Sequence, residues 1–415
     1  MNRKQLILLL AALIVLGGAA LVLRTRSQES SNTTDEKLGQ KLLPNFQVND
    51  VAMMRIQTTS NLDLVKKNDR WCVQERNDYP ANYSEISDLL LKMRDLKVAQ
   101  SEPIGTSQLG RMHLAEPGTS PDAATLIEFK DAQGKVLQSV LLGKKHTHKA
   151  ERPSRMMFGD DEMADGRFVM LKSDPHDVLI VSDPLNSVDA KPEGWLNKDF
   201  FKIERPKSIT IVSTNATNSW SLTRESENGP WILSNIKTGE ILDTNKASSL
   251  SSTLSYPSFV DVEAGTDAAK TGMDKPLVVT ITTFDRFTYT LKIGAKTPQN
   301  DYPLQFSVTA DFLTERVTGK DEKPDDKKKW DKEFQDKLKP MQEKLKQEQS
   351  LDKWTYVVNS WLIDPLIRDR AQLMVEKKDG KKDDKKEAAV SAPESMPDEK
   401  PDAGLNLSPV DPNNQ

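Results

Sequence analysis

The stretch WCVQERNDYPANYSEISDLLLKMRDL, residues 71–96, changes its period partway along and so decides the fold. Trp71-Cys72-Val73 reads as a short strand. Asn82 then stands three residues before Glu85, a capping-box arrangement that satisfies free amides at a helix start. Ile86, Leu89, Leu90, Met93 and Leu96 follow on one helical face, an apolar stripe that needs a sheet to cover it. Upstream, 51–58 alternates as a half-buried strand and Leu62 and Leu64 begin another, which with Trp71 gives a three-stranded meander. Downstream, 125–129 and 136–142 form a hairpin about Gln133-Gly134, and 167–171 is a further strand. Pro175 suits the first turn of a short helix over 174–181.

The same succession returns roughly 160 positions later, in WILSNIKTGEILDTNKASSLSSTL, residues 231–254. Trp231-Ile232-Leu233 answers to the first strand, and Asp243 caps a helix whose Ala247, Leu250 and Leu254 match Ile86, Leu89 and Met93. Leu142-Gly143 answers to Ile293-Gly294, and Leu196-Asn197-Lys198-Asp199 to Leu366-Ile367-Arg368-Asp369. Strands at 208–212, 219–224 and 231–233 make the second meander, 277–283 and 287–293 the second hairpin, and 354–358 a late strand. The expected class is α+β, with two tandem modules, 46–201 and 202–375, each an antiparallel β-meander plus amphipathic helix plus β-hairpin.

Ahead of the modules, residues 1–5 are a short polar tail and residues 6–23 an uninterrupted apolar run. Eighteen residues at about 1.5 Å each span ~27 Å, near the thickness of a bilayer core, so the run is predicted to be an uncleaved transmembrane anchor. Arg3 and Lys4 before it, against Arg24, Arg26, Lys37 and Lys41 after it, do not settle orientation. The short tail and long following chain read as a signal-anchor, single-pass in the cytoplasmic membrane with the large domain outside. Residues 24–45 are a polar tether, and the charged tail 376–415, poor in apolar residues, is expected to be disordered.

With 58 basic and 62 acidic residues in 415, the net charge of −4 names no partner. No arginine strip interleaved with aromatics is present, which argues against nucleic-acid binding. A single cysteine, Cys72, precludes an internal disulfide framework and reads as a small buried hydrophobe.

Catalytic motifs are missing: there is no phosphate-binding glycine loop, no nucleophile elbow and no His-Glu-x-x-His. The chain is therefore read as a non-enzyme without a cofactor. His146 and His148, two apart on a strand and followed by Asp160-Asp161-Glu162, are weak metal-ligand candidates. Asp199 and Asp369 read as caps or ion-pair partners of each module's closing segment, and Trp71 and Trp231 as equivalent core aromatics.

The second module carries something the first lacks. Residues 320–352 hold ten basic and ten acidic residues, through which Trp330, Phe334, Leu338, Met341 and Leu345 recur at helical spacing. Two readings stand: a solvated helix folding back on its module, or an arm at 319–352 that docks a partner through those five residues and can be deleted without loss of the fold. Pro340 should kink or divide it.

The Trp-x-Val strand at Trp71, the Tyr79-Pro80-Ala81-Asn82 approach to the helix, Leu89-Leu90 with Leu96, the hairpin ending at Gly143, and Leu196-Asn197-Lys198-Asp199-Phe200-Phe201 resemble the bacterial domain of unknown function 4340 family. The second module departs at Glu240-Ile241-Leu242-Asp243 and matches by pattern and spacing alone. The resemblance implies a membrane-anchored protein similar to auxiliary components of gliding-motility-type ABC transporters, and it brings no catalytic residues. The expected function is a non-enzymatic cell-envelope scaffold, with the membrane, an ABC transporter permease or other envelope proteins as partners. The alternative is a binding module for glycan, peptidoglycan or peptide in the cleft between modules.

Overall fold

A computed structural model describes residues 37–375, apart from 103–105, 121, 150–161, 214–217, 266 and 319–321. The first sheet takes β1 (Met53–Gln57), β2 (Asn61–Lys67), β3 (Arg70–Val73), β4 (Tyr79–Pro80), β5 (Val98–Glu102), β6 (Thr125–Lys130), β7 (Val136–Lys149), β8 (Glu162–Leu171) and β9 (Asp174–Val181). Their spatial order is β4-β3-β2-β1-β6-β7-β8-β9-β5. The second takes β10 (Pro206–Val212), β11 (Trp220–Thr223), β12 (Ile232–Leu233), β13 (Asp261–Val262), β14 (Leu277–Thr283), β15 (Phe287–Ile293), β16 (Asp301–Ala310) and β17 (Tyr356–Asn359). Its order, β12-β11-β10-β14-β15-β16-β17-β13, repeats the first with β4 left off the edge.

The α+β expectation is corrected by this architecture. The described chain is mainly antiparallel sheet with few helices, because each meander and hairpin belongs to one continuous sheet extended by strands the pattern did not mark. The 174–181 segment is a strand, not a helix: Val178, Leu179, Ile180 and Val181 are all buried, and a β-branched run covered on both faces suits a sheet. The predicted transmembrane helix finds no support either. Residues 6–23 lie outside the described residues, and among the described residues no helix is long and apolar enough to cross a membrane. The tail 376–415 also lies outside them.

Alternation builds the main core. Val279 and Ile281 on β14 and Phe287, Tyr289, Leu291 and Ile293 on β15 point inward, while intervening residues stay partly exposed. The helix Tyr83–Asp95 lays Ile86, Leu89, Leu90 and Met93 on the first sheet, and Thr244–Ser255 lays Ala247, Leu250 and Leu254 on the second. Each large side chain buried this way contributes about 1.5–3 kcal/mol. Asn82 accepts a hydrogen bond from Ser84 N at 3.2 Å, and Asp243 accepts from Asn245 N and Lys246 N.

A second apolar cluster covers the far face of the first sheet, where Leu114, Ala124, Leu126, Leu141, Phe168 and Ile180 meet. There the chain passes directly over Gly143, and a Cβ would collide with the Met112 carbonyl oxygen. In the second module Gly294 lies under the Thr271 carbonyl in the same way. The two glycines are alike because each admits a crossing backbone.

The closing segments correspond differently from the sequence alignment. Ala81 bridges Leu196 and Leu242 bridges Met374, so Leu196 is equivalent to Met374 rather than to Leu366. Asn82 N donates to Trp195 O and Asp243 N to Leu373 O, which fixes the same register.

Candidate functional site

The two modules meet in an aromatic seam rather than across an open gap. Phe200 lies 5.1 Å from Phe259 and 4.7 Å from Tyr356 between ring centroids, and Phe201 lies 4.7 Å from Phe306. Tyr79 stands edge-on to Trp354 at 4.8 Å and to Phe259 at 5.8 Å. One apolar cluster runs through both sheets.

Beside this seam the chain makes a tight turn. Asn77 and Asp78 both take left-handed backbone angles, φ 54° and 58°, which these side chains tolerate. Arg76 is thereby aimed at Asp261, where Nε and Nη2 each donate to a carboxylate oxygen at 2.7 Å. Asn77 Nδ2 donates to Glu263 O at 3.2 Å, and Trp354 Nε1 donates to Asn77 O at 3.4 Å. Hydrogen bonding to Asp261 pushes the Arg76 guanidinium up from its ordinary value, and burial pushes Lys198, over the Phe259 ring, down. Burial likewise raises Glu75, whose Oε1 accepts from Asp63 N while Oε2 has no hydrogen-bond partner among the described residues.

Removing one member of this largely buried pair strands the other charge. Arg76→Ala should cost about 3 kcal/mol, and a double-mutant cycle with Asp261→Ala should return a coupling of about 2 kcal/mol in chemical denaturation. A coupling near zero would show that this ion pair does not help hold the modules together.

At the mouth of the turn lies a cavity of about 350 Å³ lined by Asn77, Glu263, Met273, Gln305, Lys353 and Trp354, among others. The Lys353 ammonium sits 4.3 Å from the centroid of the Trp354 ring. The arrangement offers hydrogen-bonding groups beside an indole.

The tyrosines of the core set an alkaline limit. Burial holds the Tyr79, Tyr289 and Tyr356 phenols above their ordinary value, with Glu348 adding to the effect at Tyr289; Tyr302 is pushed up to about 12. Their folded pKa values exceed the unfolded value of about 10, so the stability they hold is complete below pH ~10 and is lost as pH rises above it. Melting temperature should fall steeply above pH ~10. Tyr79→Phe, which removes one of these buried phenols, should soften that fall.

The second feature is the helix Pro324–Gln349, which the first module lacks. It is continuous through Pro340, so the proline does not divide it. Pro340 and Asp336 are both on the exposed side, where water can serve the carbonyl the proline leaves unpaired. Its C-terminal end is anchored by a buried carboxylate: Glu348 Oε1 accepts from Lys202 N at 2.9 Å and Oε2 from Tyr289 OH at 2.8 Å. Leu338 is buried and Met341 and Leu345 pack against the core, whereas Phe334 is half-buried and Trp330 exposed. Arg316 holds the other end, pairing with Glu322 and Asp331 and lying over the Trp330 ring. Residues 319–352 cannot be excised cleanly, since Glu348 and Leu351 belong to the core.

The histidine candidates do not gather. His146 Nδ1 lies 2.7 Å from Asp165 Oδ1, the residue left over where β8 slips register against β7. The His148 side chain, Asp160, Asp161 and the Glu162 side chain lie outside the described residues. Among the described residues no group of three His, Cys, Asp or Glu could hold a metal. Asp199 is tied locally to Asn197, and Asp369 forms a capping box with Gln372. Trp71 and Trp231 are both buried, but Cys72 is buried where Ile232 is half exposed on an edge strand.

No curated protein and no solved structure matches the chain. One family model does, over residues 71–276, from the strand of Trp71 through the aromatic seam to the threshold of β14. By that match residues 71–276 of the chain belong to the family of the domain of unknown function DUF4340.

Proposed function

We propose that the chain is a non-enzymatic scaffold of the bacterial cell envelope, on the outer side of the cytoplasmic membrane, serving an ABC-type transport system. The observation that carries the scaffold reading is the helix Pro324–Gln349: one module alone carries it, buried Glu348 locks it in place, and apolar Trp330 and Phe334 are left accessible. A rigid element that displays aromatic side chains suits partner binding. The transporter half rests on the likeness of the family to auxiliary components of gliding-motility-type transporters. Crosslinking in native membranes should recover permease or ATPase subunits, and recovery of other envelope proteins only would count against the transporter.

A second reading is favoured by the cavity at the seam, where Trp354, Lys353 and polar neighbours could hold a glycan, peptidoglycan fragment or peptide. Retention on isolated cell wall, lost on Lys353→Glu, would support it; equal retention of the variant would remove it.

A further inference from the structure

We propose that the groove between the 324–349 helix and the turn after β14 receives a partner polypeptide segment bearing one bulky apolar side chain flanked by carboxylates. The proposal rests on the scaffold reading and names the chemistry of the partner. Phe284, Phe312, Leu313, Phe334, Leu338 and Met341 wall a recess of about 230 Å³. That volume suits a single leucine or aromatic side chain, and buried aromatic anchors carry much of the binding energy of protein interfaces. The mouth is open, with Leu313 39% exposed and Phe334 half-buried over a floor made by Leu338.

Charge around the recess selects the flanks of the anchor. Lys337 and Arg286 line it, and the lining carboxylate, Asp285, is engaged by Arg205. Lys207 and Arg224 lie over the Phe284 ring. Against these cations stand Asp285, Glu227, which also pairs with Arg205, and Asp311, which reaches Arg286 only at 3.9 Å. The lining itself carries two cations and one carboxylate already paired with Arg205, so Asp or Glu beside the anchor is attracted and a basic segment repelled. A lipid surface would call for a broad apolar face, whereas a recess of one side chain's size calls for an anchor.

The test is selection of a random-peptide display library on the full-length chain, followed by titration of the selected peptides. Enriched peptides should carry Leu, Phe or Trp with neighbouring Asp or Glu. Their affinity should fall about tenfold or more on Leu313→Asp, and about threefold to tenfold on Lys337→Glu with a weaker salt dependence. Lys337 is exposed, so that variant should melt with the parent. Peptides without acidic flanks, equal binding to both variants, or capture of phosphatidylglycerol vesicles in place of any peptide would overturn the proposal. Transporter crosslinks that persist in both variants while no such peptide is selected would defeat the groove and spare the scaffold. Peptide binding as described without transporter crosslinks would spare the groove and the scaffold and count against the transporter.

Discussion

Gly294→Ala is expected to destabilise the chain by about 3 kcal/mol, near the top of the range for overpacking, and Gly143→Ala by a similar amount. Each added methyl would meet a backbone carbonyl, Thr271 O or Met112 O, which cannot swing aside as a side chain would. The Thr271 carbonyl is further fixed by accepting from Ala295 N at 2.8 Å. For Gly294 the same methyl would press on the Met273 sulfur and the Pro303 ring. Relief therefore requires the crossing segment to lift off its sheet. Gly194→Ala is the control, because nothing stands within 4 Å of a Cβ there. Denaturant titration should show a near-neutral Gly194→Ala beside two strongly shifted midpoints. Equal stability of all three would mean that the crossings are loose.

Glu348→Ala should cost about 3 kcal/mol, since it removes the acceptor of the buried Lys202 N and the nearer acceptor of the Tyr289 hydroxyl, which keeps only Lys202 O at 3.3 Å. Glu348→Gln can keep an acceptor for one donor while its amide cannot accept from the other, so an intermediate loss is expected. The loss should also be local in character. The 324–349 helix should gain hydrogen exchange well before the sheets do, because its exposed half is otherwise held mainly by the Arg316 cluster. Uniform exchange across helix and sheets would show that the helix unfolds only with the whole module.

Much of the chain's local order is written in periodicity. The helix stripe from Ile86 to Met93, the cap at Asp243 and the pairing of Gly143 with Gly294 all follow from residue type and spacing. The sheets were harder to read, and for identifiable reasons. The run Val178 to Val181 is buried throughout and so shows no alternation. Tyr302, Leu304, Phe306 and Val308 on β16 do alternate, but Pro303 among them disguises the strand. β13 is only two residues long. The candidate sites differ in the same way. The apolar face of the 324–349 helix was legible because it is local, and Leu338, Met341 and Leu345 spend it on their own module. The seam was not legible, since Arg76 and Asp261 stand 185 residues apart and neither carries a motif. Phe284, Phe312 and Leu313, which complete the groove, come from separate turns that only the fold brings to the helix.

The central claim, that the second module's helix presents a docking surface to a transporter, is tested most directly by a photoreactive residue placed in living cells. Benzoylphenylalanine at Leu313 or Trp330, beside the groove and on the exposed helix, is compared with the same group at Ile232, exposed on the edge strand β12. Adducts with permease or ATPase subunits from the first two positions, and not from Ile232, are the predicted result. The absence of transporter adducts from Leu313 and Trp330 alike, with the protein folded and present at its normal level, would contradict the account.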